Sequence, residues 1–299
     1  SFGQGEVEAN LFSRTDLFGT ARAQSMGGAF GALGGDLTGV SINPAGIAVY
    51  RSSEIATTAV FQNEKYKADN ESNTKNKFNF HNMGFVGYFP TRNETVPLIN
   101  FGFSYNKVKS FDKNIGVVGA DIDVSLMDLM ALDASGISPS DLKFDSNGSG
   151  SNPFREYPWL GVLGYNSNLI VPKNDGQNNY RAIHNEPILY NDLYIKERGS
   201  IDVYDFTVGT SINNVLNLGV TLSITDIYYN LESRNSEEFE LSDDAGFDLH
   251  NWLISEGNGV GVKVGAIYRP IHALRLGLSY SSLASDGRAS TATWPRSSS

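Results

Sequence analysis

The chain has 299 residues, no cysteine, a net charge of −10 and only 19% charged residues. The acidic balance excludes a nucleic-acid binder that works by neutralising phosphates, and the missing cysteines exclude disulfide frameworks and thiolate metal sites. With 31 Gly, 14 Tyr and 17 Phe, the composition is that of an all-β chain with aromatic surfaces. No apolar run approaches the roughly 20 residues of a transmembrane helix. Membrane strands stay open as a reading, because they never produce such runs. The opening Ser1-Phe2-Gly3-Gln4 has neither an initiator Met nor a hydrophobic signal region, so the chain reads as a mature, exported sequence.

The first informative stretch is Gly19 to Ala48, GTARAQSMGGAFGALGGDLTGVSINPAGIA. Its glycines allow backbone to approach backbone and supply positive φ. Arg22, Gln24 and Asp36 are polar handles, and Pro44 restricts Asn43 to extended or turn geometry. Too polar for a core and too rich in small apolar residues for a linker, the segment fits a compact plug packed inside something else.

Beyond Tyr50 the period becomes two. In Leu216–Ile224, Leu216, Leu218, Val220, Leu222 and Ile224 alternate with Asn217, Gly219, Thr221 and Ser223, which gives one apolar and one polar face. Ile99–Tyr105, Val260–Tyr268 and Leu274–Tyr280 repeat the pattern, and Glu54–Lys65, Phe78–Phe89 and Ile201–Ser211 are weaker cases. Together they predict seven strands. The polar face is Gly, Ser, Thr and Asn rather than the Lys and Glu of a water-washed sheet, and the apolar runs end in tyrosines. Aromatic ends of this kind suit a membrane barrel better than a sandwich. Ile212–Val215 and Arg269–His272 predict tight turns at one end, with a slightly longer one at 91–96. At the other end 66–76, 109–200 and 232–257 predict long loops. The loops carry two short helices, Val124–Ala134 and Phe247–Ser255, the second led in by Asp243-Asp244, and Ser146–Asn152 reads as mobile. Within Phe78–Phe89 the phase breaks: Phe78 and Phe80 share a phase with Val86 and Tyr88, while Met83 and Phe85 take the other. A bulge or kink is the expected cause; the alternatives are a kinked barrel wall or Met83 and Phe85 simply packing on the plug.

Little looks catalytic, and no enzyme activity, metal or cofactor is expected. His81, His184, His250 and His272 lack ligand spacing. Gly257–Gly261 lacks the helix and Lys of a phosphate loop. Glu237-Glu238 and Asp243-Asp244 read as solvated loop charge, and there is no G-x-S-x-G elbow.

GTARAQSMGGAFGALGGD followed by SINPAGIA, with its Asn43-Pro44-Ala45 tripeptide ahead of a run of strands, resembles the N-terminal hatch of the FadL/TodX family of outer-membrane transport proteins. The resemblance implies an antiparallel transmembrane β-barrel of fourteen strands, of which about half is visible here. It divides the chain into a hatch (1–50), strands with long extracellular loops (51–285) and an irregular tail (286–299), as though the barrel were cut short or frame-shifted near residue 283. It further implies a monomeric barrel in the outer membrane of a Gram-negative bacterium, in contact with lipid bilayer and lipopolysaccharide, that passes hydrophobic small molecules such as long-chain fatty acids or aromatic hydrocarbons passively. Candidate ligand-binding or gating residues are Phe30, Asn43, Pro44, Ala45, Met83 and Phe85 near the hatch. For a capture groove the candidates are Leu126, Met127, Leu129, Met130, Trp159, Trp252 and Leu253. The competing readings are a docking barrel for envelope machinery, a barrel fragment without function, and a soluble β-sandwich adhesin whose Leu216–Leu218–Val220 face is covered by a second sheet.

Overall fold

The computed structural model describes residues 10, 16, 19–68, 71–119, 124–145, 152–173, 175–183, 188–240, 246–271, 273–282, 290–293 and 296–298. An N-terminal unit holds helices α1 (Ala21–Ser25) and α2 (Leu37–Ile42) and a 3-10 helix, Pro44–Val49. The strands are β1 (Glu54–Ala68), β2 (Glu71–Pro90), β3 (Leu98–Ser110), β4 (Lys113–Gly119), β5 (Ile170–Pro172), β6 (Tyr180–Ala182), β7 (Ile188–Ile212), β8 (Leu216–Phe239), β9 (Gly246–Ile271), β10 (Leu274–Ser281), β11 (Ser290–Thr293) and β12 (Arg296–Ser298). Between β4 and β7 lie α3 (Leu126–Ala134), α4 (Pro139–Leu142), α5 (Pro153–Glu156) and α6 (Trp159–Asn166).

One antiparallel sheet dominates, in the order β1-β2-β3-β7-β8-β9-β10, with β4 added to β7 and β11 and β12 to β9. The seven strands of this path are the seven expected from alternation. The path is open: among the described residues no pairing joins β1 to β10, and no closed barrel forms. The expected turn at Ile212–Val215 is present. Asn213 and Asn214 take φ of 49° and 57°, and the Val215 N–H donates to the Ile212 carbonyl at 3.0 Å. Both central residues at positive φ match the twist of a two-residue hairpin, and Asn tolerates that conformation.

The strands are far longer than expected. The loop proposed at 66–76 is largely strand, because β1 runs to Ala68 and β2 begins at Glu71. The 232–257 loop is the pairing of β8 with β9 continued, Glu232 opposite Trp252 and Glu238 opposite Gly246. Phe247–Ser255 is therefore strand and not helix. The 109–200 loop gives up both ends to strands, β4 pairing with β7 from Lys113↔Glu197 to Gly119↔Asn191. Of the tail, 290–293 and 296–298 pair with β9, so its described part is regular. Asp243-Asp244, His184 and His272 lie outside the described residues, as does most of 146–152.

The remainder of 124–183 folds as a cap. The helix expected at Val124–Ala134 is α3, opened by a capping box in which the Ser125 side chain accepts from the Met127 N–H and Asp128 reaches back to Ser125. Met130, Ala134, Leu142, Val162, Ile170 and Tyr180 form its core, which extends onto Leu249 of β9. A second cluster joins Met127 and Ala182 to Ile188 and Phe239. The joint is completed by Glu237, 2% exposed, which accepts from the Ser125 hydroxyl (2.5 Å) and the Leu126 N–H (2.9 Å). A carboxylate from the sheet thus holds the N-terminus of α3. Glu237→Ala removes charge-assisted hydrogen bonds worth about 1.5–3 kcal/mol each. The expected outcome is faster hydrogen exchange in 126–134 with unchanged protection in 216–224; equal exchange in both segments would show that the carboxylate does not hold the cap.

Candidate functional site

The two faces of the sheet differ in kind. On one, Gly84, Ser104, Asp205, Ser223 and Gly261 stand opposite one another on five consecutive strands. Asn82, Asn100, Asn106, Thr207 and Thr221 share this face and are buried. On the other, Phe85, Phe103, Phe206, Leu222 and Val262 stand in register, followed by a row of Phe101, Val208, Val220, Val264 and Tyr280. Most of these side chains are about half exposed and nothing described covers them. Among the described residues no second sheet packs on this bare face, as the sandwich reading would require.

The N-terminal unit sits on the polar face. The 3-10 helix crosses a register row formed by Asn100, Gly209, Gly219 and Gly265. A Cβ at Gly219 would overlap the Pro44 carbonyl, one at Gly265 the Asn43 side chain, and one at Gly209 the Ile47 side chain. Strand glycine marks close approach by another backbone, and three in one row form a slot. Asn43 is the pin. Its Oδ1 accepts from the Ala45 N–H (3.1 Å), while its Nδ2 donates to the carbonyls of Gly31 (2.6 Å), Ala266 (3.3 Å) and Leu278 (3.4 Å). At the other end of the helix, Asn100 Nδ2 donates to the Ile47 (2.8 Å) and Tyr50 (3.0 Å) carbonyls. At the end of α2, Asn106 Nδ2 donates to Ser41 Oγ (2.7 Å), and Lys263 Nζ donates to the Ser41 carbonyl (3.2 Å) and to fully buried Asp205 (3.2 Å). Burial, with Glu54 and Asp36 nearby, pushes the Tyr50 hydroxyl above its ordinary range.

The unit is also organised within itself. Asp36 caps α2 through the Thr38 N–H (2.9 Å) and accepts from the Thr20 hydroxyl (2.8 Å). Phe30 is fully buried, against Gly39, with the Arg22 guanidinium 5.3 Å from its ring centroid.

The candidate residues therefore separate. Asn43, Pro44 and Ala45 form the seat itself, and Phe30 is core of the unit above it. Met83 and Phe85 do not face the unit: they lie on the bare face, while His81, Asn82, Gly84 and Val86 are buried on the other. The phase break has the expected cause, since pairing slips between Thr58↔Asn82 and Ala59↔Phe80, leaving His81 as the extra residue of a bulge. Pairing of β2 with β3 begins only after it, at Asn82↔Asn106. The groove residues do not converge. Met127 and Met130 are cap core, Leu126 packs beside them and Leu129 is exposed. Trp159 opens α6 at the surface, Trp252 stacks on His250 (5.5 Å), and Leu253 joins a cluster around Phe111, Ile201 and Tyr229. Sequence reasoning missed Asn100, Asn106, Asp205, Lys263 and the glycine row. Asn and Gly on the polar phase of adjacent strands were the available signal, but only the register brings them together. Among the described residues no group of His, Asp and Glu has metal-ligand geometry.

No protein-family model, curated protein or solved structure matches this chain.

The seat predicts its own sensitivity. Gly219→Ala should displace the 3-10 helix, raising protease cleavage within 37–50, whereas Gly116→Ala on β4, where an added Cβ meets nothing within 4 Å, should leave cleavage unchanged. Equal cleavage of the two variants would mean that the slot does not hold the helix.

Proposed function

We propose that this chain is a bilayer-embedded part of a hatch-plugged outer-membrane barrel that lets hydrophobic small molecules pass passively. The observation that carries the reading is the inverted sheet. Its polar face is occupied by the N-terminal unit and its apolar face is bare over several strands, whereas soluble monomers rarely expose contiguous apolar patches beyond a few hundred Å². Hydrocarbon on that face removes the contradiction. The resemblance of Gly19–Ala48 to the FadL/TodX hatch supplies the transport role, and the bulge at His81, ahead of which β2 has no described pairing with β3, would be an irregularity in the barrel wall.

The physical route is restricted. Around the seat the covered face is mostly Gly, Asn, Ser, Thr, Asp and Lys, and its apolar Val86 is already packed against Leu37, Val40, Ile47 and Tyr50 of the N-terminal unit, which leaves little surface to an apolar solute. A second apolar group on that face, away from the N-terminal unit, gathers at Phe111, Ile201 and Tyr229, with Val108, Ile227, Leu231 and Leu253 half-buried around them. We assign capture to this cluster, where apolar burial at about 25 cal/mol per Å² suffices without covalent chemistry. A docking role is the second reading. It is favoured by the density of hydrogen bonds that hold the 3-10 helix, which suits a fixed plug.

Vesicles containing the protein should take up radiolabelled oleate or toluene several-fold faster than empty vesicles, without nucleotide or ion gradient. Equal rates with the protein inserted would leave the docking reading. Leu222→Arg, which places a charge on the lipid face at a cost of roughly 2–4 kcal/mol near the bilayer midplane, should reduce co-flotation with vesicles. Unchanged flotation would speak against embedding.

A further inference from the structure

Strands β7, β8 and β9 are about twice the length that a tilted strand needs to cross a bilayer, roughly 9–11 residues. Their side chains record where the crossing stops. Lys107, Asp202, Asp226 and Asn258 stand directly opposite one another on β3, β7, β8 and β9. All four share the phase of the bare face. They form one polar row across it.

The two faces exchange character at this row. Between the row and the turn end, the bare face is apolar, as in Leu222 and Val262, while the covered face is polar, as in Asp205 and Thr221. Beyond the row, the covered face turns apolar with Ile201, Ile227, Tyr229 and Leu231. There the formerly bare face carries partly exposed ion pairs, Lys196–Glu232 (3.5 Å) and Arg234–Asp248 (3.3 Å). Ile254 and Trp252 remain in that phase but are half-buried. The hydroxyl of Ser236 and the nearby Arg234 hold the Asp248 carboxyl below the usual carboxylate range.

Aromatic rings flank the row. Tyr105 and Tyr204 pack at 5.5 Å just on its apolar side, and the Tyr105 hydroxyl donates to Asp202 at 2.7 Å. A ring in the apolar zone with its hydroxyl on the polar row is the arrangement of an interfacial tyrosine.

We propose that the row Lys107–Asp202–Asp226–Asn258 is the line at which the sheet leaves the lipid bilayer, and that the strands continue beyond it as a water-exposed wall bearing the cap. This rests on the membrane reading given above and adds depth and direction to it. The turn-to-row segments, 216–226 on β8 and 258–268 on β9, match the length of a membrane crossing. The longer remainder has the ordinary polarity of a soluble sheet, apolar inside and charged outside. On β1 and β2 the aromatic face runs further, through Phe61, Phe78 and Phe80. Tilted strands meet a flat interface at shifted heights, so the line is assigned on β3, β7, β8 and β9.

The chain has no cysteine, which makes single labels clean. Leu222→Cys, Val262→Cys and Arg234→Cys are each labelled with an environment-sensitive fluorophore. They are reconstituted into phosphatidylcholine vesicles containing lipids with a nitroxide at mid-chain, or exposed to iodide in the buffer. Labels at 222 and 262 should be quenched several-fold more by the lipid nitroxide than by iodide, and the label at 234 the reverse. Because 222 and 262 lie on different strands, one variant that fails to fold leaves the other to decide. Vesicle-bound protein whose label at 234 is quenched by the mid-chain nitroxide, or whose labels at 222 and 262 are quenched by iodide, overturns the boundary alone. Protein that does not float with the vesicles overturns the membrane reading and the boundary with it.

Discussion

Everything on the covered face depends on one steric condition: no side chain stands between the Pro44–Val49 backbone and the strands beneath it. Gly209, Gly219 and Gly265 create that condition by lying opposite one another. With the helix this close, Asn43 reaches strand carbonyls on β9 and β10, and Asn100 reaches back to Ile47 and Tyr50. Two asparagines thus satisfy both ends of a short helix whose own hydrogen bonds are few. Any side chain in the row would lift the helix and separate these partners together. Asn43 is the residue for which the geometry leaves least latitude, since its one amide both caps the helix and ties it to the sheet.

The polar network around Ser41 has a different character. Asp205 is fully buried and shares hydrogen bonds with Ser223 and Lys263, while Lys263 also holds the Ser41 carbonyl. A buried pair of this kind is weak evidence for net stability, because desolvation offsets the Coulomb attraction. Its consequence is specificity. With the N-terminal unit removed, the Ser41 carbonyl and one donor of Lys263 lose each other, so the pair favours one placement of α2 over a sliding contact. Apolar residues at the same positions would bury surface without choosing a register.

The strands of the main path were legible because alternation survives wherever one face stays apolar for several residues, as in Leu216–Ile224 and Val260–Tyr268. Their full lengths were not, and the reason is physical. At Asp226 and Asn258 the apolar phase changes sides, so a reading that follows one phase loses the strand just as it continues. Phe247–Ser255 suffers further because Phe247, Leu249 and Leu253 face one side while Trp252 and Ile254 occupy the other. Apolar residues in both phases resemble a short helix. That Gly19–Ala48 packs compactly against another part of the chain was readable from its small residues, but its seat was not: Asn100, Gly209, Gly219 and Gly265 are distant in sequence and meet only through strand register. The groove candidates lie apart for a related reason. Met127 and Met130 have the composition of a binding surface and also of a core, and the Leu249 and Phe239 ends of the long strands, unseen as strands, supply the surface that buries them.

This distribution of contacts also limits how the N-terminal unit can move. The firm attachments lie between Ser41 and Tyr50, where Asn43, Asn100, Asn106 and Lys263 converge. Among the described residues, the ties of Met26–Gly35 to the sheet are the Gly31 backbone, packed against Gly277, and the Leu33 carbonyl, which accepts from Arg275 at 2.9 Å. Four glycines in that stretch, Gly27, Gly28, Gly34 and Gly35, hold positive φ, which keeps alternative backbone paths sterically open. Withdrawal of the whole unit would break the two asparagine clamps and the Lys263 contact at once and leave Asp205, Thr207 and Thr221 facing an empty space. Displacement of residues 26–35 alone breaks far less. Movement of the N-terminal unit is therefore least restrained beside the seat, in residues 26–35, with the Pro44–Val49 helix as the fixed post.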